Sequence, residues 1–188
     1  MRHVIFVLIA LVTGELDLSA QMTRQDLAAR MESEVLRLSG EGVEYNERWT
    51  PPGTARSEAM DCSNTVKWLY ASTAGLVLPR TASDQYEELR ERGRIRRVAA
   101  DSGGLRKDLN PGDLLFWENT YRPKRKPPIT HVMVYLGRDD AGRMRMAGSQ
   151  GSRGVDVYTF RPEVSYGGYT WFLWFKRKGR FVAYGRPL

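Results

Sequence analysis

The sequence holds a single cysteine, Cys62, and two histidines, His3 and His131. One cysteine excludes an internal disulfide and any zinc site built from cysteine pairs. In an exported chain the leftover thiol is then an intermolecular bridge, an inert buried residue or a reactive group. No internal repeat and no low-complexity linker interrupts the 188 residues, a length that suits one domain with a sizeable core. RNA-recognition, zinc-finger and basic-zipper patterns are also missing, so nucleic acid is not an expected partner. The longest apolar run, Val4 to Val12, is too short to span a bilayer.

That run has Arg2 before it and Ser19 and Ala20 after it, ahead of Gln21. The order is that of a secretory signal peptide, with a buried N-terminal strand as the alternative. Residues 1–20 are therefore read as a signal and 21–188 as one domain, secreted or periplasmic. No cysteine lies near the run to carry a lipid anchor. A hydrophobic fraction of 41% with 11% aromatics argues against disorder. The net charge is +7 at a pI of about 9.7, and loss of residues 1–20 removes one cation and two anions to leave +8. Such a charge favours anionic partners.

Along the chain, residues 22–39 read as an amphipathic helix, with Thr23 and Asp26 as a capping box and Leu27, Met31, Val35 and Leu38 on one face. "NERWTPPGTARSEAM" has loop composition. A second helix is expected from Asp61 to about Thr73, ended by Gly75, and a third over "TASDQYEELRERG" behind Thr81. The period then changes. "NPGDLLFW" feeds a buried strand, "HVMVYLG" is a second, and "DDAG" turns into "RMRMAGS". Two more strands are expected at "GVDVYTF" and "YTWFLWFKRKGRFVAYG". Helices first and an antiparallel sheet afterwards make an α+β chain.

Cys62 falls in the first turn of its helix, behind the Asp61 cap. There the unpaired N–H groups and the helix dipole favour a thiolate, and a lowered thiol pKa is expected. A thiol nucleophile needs a base. With His3 inside the signal, His131 is the one histidine available, at the start of "HVMVYLG". A buried inert cysteine and a structural histidine are the alternative readings of the same pair.

Several stretches occur in a fixed order: "DCSN", "LPRTASDQY", "PGDLLFW", "HVMVYLG" and "SRGVDV". In that order they resemble the NlpC family of cell-wall cysteine peptidases, within the papain-like superfamily. Asn64 stands where the family usually has glycine. The resemblance implies a papain-like α+β fold, N-terminal helices packed on a C-terminal antiparallel sheet, and no cofactor. It implies an endopeptidase cutting an amide bond of peptidoglycan stem peptides, between D-glutamate and a diamino acid, through a thioester. Cys62 would be the nucleophile and His131 the base. Tyr45 would line the oxyanion hole, and Asp61 and Ser63 would shape the cleft.

The family's third polar residue, usually histidine, has no direct counterpart here: alignment places Met146 or Gly148 there. A hairpin symmetric about Asp140–Ala141 would set Gln150 opposite His131, where its amide oxygen could fix the tautomer. Ser149 is the second choice. An insertion, residues 118–129, carries Arg122, Lys124, Arg125 and Lys126, read as a solvated loop or as a rim for an anionic wall polymer. A monomer is expected. A wall-binding module with a degenerate site and a papain-like N-acetylmuramoyl-L-alanine amidase are the alternative functions.

Overall fold

Each of the three helices begins where a short polar side chain closes its first turn. The computed structural model describes residues 22–46, 59–98, 108–172 and 175–188, so the signal peptide expected at 1–20 lies outside the described residues. Helix α1 (Arg24–Gly40) starts with a reciprocal box: Asp26 N–H donates to Thr23 Oγ1, and Thr23 N–H to the Asp26 carboxylate, both at 3.1 Å. Helix α2 (Cys62–Ala74) starts behind Asp61, whose carboxylate accepts from Asn64 N–H at 2.7 Å, and stops at Gly75 in the left-handed conformation. Helix α3 (Ala82–Glu91) starts behind Thr81. All three lie within two residues of where the sequence places them.

Strands β1 (Ile95–Arg97), β2 (Leu114–Glu118), β3 (Ile129–Arg138), β4 (Met144–Gln150), β5 (Gly154–Thr159), β6 (Gly168–Phe172), β7 (Phe175–Lys178) and β8 (Arg180–Gly185) follow. Six form one sheet in the order β1-β8-β2-β3-β4-β5, every neighbour antiparallel. The expected α+β architecture is the one observed. The C-terminal segment "YTWFLWFKRKGRFVAYG", expected as a strand, is divided. It makes β6 and β7, a separate two-stranded ribbon, and then β8, which enters the main sheet between β1 and β2. Three-residue β1 was not expected; its sequence, Ile-Arg-Arg, has almost no apolar signal.

Side chains alternate across this sheet. Leu114, Phe116, Val132, Val134 and Ala147 face the helices, where Leu27, Met31, Val35, Val66 and Leu69 cover them. Leu115, Trp117, Met133, Tyr135 and Met146 face the other way, against Tyr158, Phe160 and Phe181. Among these, the rings of Trp117, Phe160 and Phe181 meet edge to face with centroids 5.1–5.8 Å apart. Asp113 of the "PGDLLFW" stretch is fully buried, accepting from Asn110 N–H at 2.9 Å and flanked by Arg24 and Arg186. Its role is to hold the turn into β2.

Candidate active site

Helix α2 packs its N-terminus against β3, so Cys62 reaches the sheet. Its thiol is buried, and the N–H groups of Val132 and Ser63 both point at the sulfur. The paired residues of β3 and β4 begin at Val134↔Ala147, and the sulfur sits beside the unpaired start of that ladder. Burial pushes the thiol up to about 12, the Asp61 carboxylate adds to the rise, and the two N–H groups and the Arg80 guanidinium act against it. The lowered pKa expected from the helix N-terminus is therefore reversed. Desolvation outweighs the dipole, and Asp61 already occupies one N-terminal donor, the Asn64 N–H.

His131 is not the first residue of its strand: β3 starts at Ile129, and His131 lies opposite Trp117 of β2. Alternation puts its ring on the aromatic face, in phase with Met133. There it meets Trp117 at 5.5 Å and Tyr166 at 4.8 Å between centroids. The Gln150 side chain hydrogen-bonds the ring. Continuing the register Val134↔Ala147 by three residues sets His131 opposite Gln150, as the symmetric hairpin requires. Symmetry fails only nearer the turn, where the register shifts between Tyr135 and Gly137. Nε2 is buried and finds no hydrogen-bond partner among the described residues. Burial pushes the imidazole down to about 4, with the Gln150 bond acting the other way. At neutral pH the pair is thus a thiol and a neutral imidazole with a bare, buried nitrogen.

Ser149, the second choice for the third position, shares the helix-facing side with Ala147 and is paired with Val155. Its hydroxyl is buried, and the strand turns it away from His131.

A cavity of about 230 Å³ opens in front of Cys62. Tyr45, Asp61 and Ser63 line it, together with Arg80, Tyr121 and Arg125. Arg80, from "LPRT", is a residue that sequence reasoning passed over as a site member. Its guanidinium grips Asp61 with both nitrogens, at 2.6 and 3.0 Å, and donates to Ser63 Oγ at 3.0 Å. Gln85 of the same stretch donates to the carbonyls of Ser63 and Pro79. The start of α2 is therefore clamped from α3's side of the cleft. The basic insertion crosses α3's N-terminus: Ser83 Oγ donates to Pro127 O at 2.8 Å, and Arg125 to Thr81 Oγ1 at 2.9 Å. Part of it is thus a fixed wall of the cavity rather than a free solvated loop.

The described residues contain no group of three His, Cys, Asp or Glu suited to a metal ion. No described helix is long and apolar enough to cross a membrane.

Known proteins resemble the chain in this region. Over 105 residues it is 33% identical to the Bifunctional muramidase/DL-endopeptidase CwlT of Bacillus subtilis, a match covering 56% of this chain and 26% of that protein. Over 95 residues it is 30% identical to a Gamma-DL-glutamyl hydrolase of the same organism, covering 50% of this chain and 18% of that one. The chain thus spans 18–26% of the length of these relatives. A crystal structure from Staphylococcus aureus, described as similar to a lipoprotein of the NLP/P60 family, covers 76% of this chain and 39% of its own at 24% identity and a TM-score of 0.47. The model of the NlpC/P60 family matches residues 47–163, which hold Cys62, His131 and Gln150. With more than half of its length inside that match, this chain belongs to the NlpC/P60 family.

Proposed function

We propose that the protein is an exported peptidoglycan hydrolase: a cysteine endopeptidase cutting an amide bond of stem peptides, between D-glutamate and a diamino acid. The names of the two Bacillus relatives, a DL-endopeptidase and a gamma-DL-glutamyl hydrolase, support the bond class. The single observation that carries the reading is the buried, unpartnered Nε2 of His131 on the residue next to Val132, whose N–H points at the Cys62 sulfur. An imidazole nitrogen in that state is free to take a proton from a neighbour.

In the first step the Cys62 Sγ–H proton passes to His131 Nε2 as sulfur bonds to the substrate carbonyl carbon. Gln150 holds the ring by accepting its other N–H. The oxyanion is met by the N–H groups at the start of α2, with Tyr45 across the cavity. Collapse breaks the C–N bond, and the imidazolium returns its proton to the leaving amine. Water, deprotonated by His131, then hydrolyses the thioester and restores the thiol. Asp61, Ser63 and Arg80 form the polar wall for the substrate. The insertion's Arg122, Lys124, Arg125 and Lys126 give the rim a positive field suited to the carboxylates of an anionic wall polymer. The signal-like run at Val4 to Val12 supports export, and the protein acts as a monomer.

Digestion of purified peptidoglycan by the protein, beside Cys62→Ala and His131→Ala, tests this with fragments read by mass spectrometry. New termini at one stem-peptide bond, missing with both variants, are expected. Binding to the wall with no release by any of the three would replace the peptidase reading with a binding module.

A further inference from the structure

Gln150 leaves the candidate base with an orienting partner but no counter-charge. When His131 takes the thiol proton, an imidazolium forms in a nearly sealed position, and a neutral amide oxygen is its only hydrogen-bond acceptor among the described side chains. The groups facing the ring are few. Trp117 faces it from β2, Gln150 from β4 and Tyr166 from the loop between β5 and β6, and the Cys62 sulfur lies close enough to Tyr166 to act on its hydroxyl. Two arginines line a second cavity of about 320 Å³ shared with Gln150 and Tyr166: Arg153, which is held by Asp156, and Arg161. None of these is an anion against the imidazole.

Tyr166 is the group whose geometry answers the missing charge. Its ring lies over the imidazole, centroids 4.8 Å apart and planes inclined by 32°. Two contacts fix it there. Its backbone N–H donates to Gly179 O at 3.2 Å, and its hydroxyl accepts from the N–H of Gly151, the residue after Gln150. It lies just beyond the family-matched segment, in a loop the sequence motifs do not reach. A π face within about 6 Å of a cation attracts it, and more so in a desolvated site.

We propose that Tyr166 is a positioning residue whose aromatic face stabilises the His131 imidazolium during turnover, supplying the complement that neutral Gln150 lacks. The inference rests on His131 being the base of the proposed peptidase. The neutral ring gains nothing comparable from that face, so the contact strengthens as the proton moves and acts on the rate rather than on substrate binding.

The test is an NMR titration of the His131 ring in the full chain, with His3→Ala to assign the resonances, beside kcat and KM. Tyr166→Phe keeps the π face and is expected to hold both the midpoint and kcat within about twofold. Tyr166→Leu is expected to move the midpoint to lower pH by about half to one unit and to reduce kcat about tenfold with KM unchanged. Progressively fluorinated phenylalanines at 166 keep the shape and weaken the π face. They should lower kcat stepwise, which decides the matter even where the leucine variant folds poorly. An unmoved midpoint in Tyr166→Leu, or an equal loss of kcat in Phe and Leu variants, overturns the proposal. A midpoint that shifts as expected in a protein that hydrolyses nothing sinks the peptidase reading and leaves the ring–imidazolium contact standing.

Discussion

The two faces of the six-stranded sheet are built from different materials, and each carries one half of the candidate site. The face under α1 and α2 is mostly aliphatic, with Met31, Val35, Val66, Leu69, Val132, Val134 and Ala147 all at 0% exposure beside the rings of Tyr70 and Phe116. Cys62 belongs to it. The opposite face is aromatic and sulfur-rich, its outer members Tyr158, Met146 and Phe181 keep 7–8% exposure, and a cavity opens into it beside His131. A sealed aliphatic layer is a foundation, whereas rings with open edges can be shaped around a titrating side chain. The candidate nucleophile therefore sits on the stable face and the candidate base on the adaptable one. The Cys62 sulfur lies at the start of the β3–β4 ladder, where the N–H of Val132, the residue after His131, points at it.

The sharpest way to separate the faces is to remove the base. His131→Ala is expected to lower kcat/KM by about 10³- to 10⁴-fold, read with a stem-peptide substrate, while the fold persists by circular dichroism. Leu69→Ala, deep in the helical face, makes the reverse case. It should cost about 2–5 kcal/mol of stability in urea unfolding and leave the His131 titration in place. A shift of that titration in Leu69→Ala would mean that the faces are not independent.

The aromatic face also carries a pH signature. The folded value of His131, about 4, lies below its ordinary 6.5, so the native state prefers the neutral ring. Stability is therefore full above pH 6.5 and falls as pH drops from there through 4, by about 3 kcal/mol at most. Urea midpoints across that window should slope in the wild type and slope less in His131→Ala. The smallest expected effect lies at the seam between layers. Gly154, with φ +67°, presses on the 43–44 backbone, and a Cβ there would stand 2.4 Å from Val43 O. Gly154→Ala should cost about 1–3 kcal/mol and raise KM, because the displaced segment carries Tyr45 into the cavity. An unchanged KM would remove Tyr45 from the binding surface.

What the sequence made legible was local or periodic. Caps at Thr23, Asp61 and Thr81 involve residues three apart, so helix starts could be read directly. Alternation placed the strands, and one count across a hairpin placed Gln150 opposite His131, because the one-residue shift at Tyr135–Gly137 cancels the one-residue offset nearer the turn. Illegible features were sums over distant parts. The sign of the Cys62 shift depends on how much of the fold covers the sulfur, against which the visible helix dipole loses. Arg80 meets Asp61 across 19 residues of chain, and Tyr166 reaches His131 from a segment of turn composition. Strand β8 has neighbours on both sides, β1 and β2, that lie far from it in the chain, while β6 and β7 just before it pair only with each other.

The protonated state of Cys62 has a consequence for durability. Peroxide and disulfides are attacked by thiolates, and the first oxidation product of a cysteine arises from the anion. Burial and the Asp61 carboxylate hold this sulfur as a thiol at rest, and in the proposed mechanism it gives up its proton only when His131 accepts it. The reactive form is thus confined to the moments when substrate fills the cleft and shields it. Between turnovers the protein keeps its one sulfur in the form that oxidants attack least, with no second cysteine to repair it.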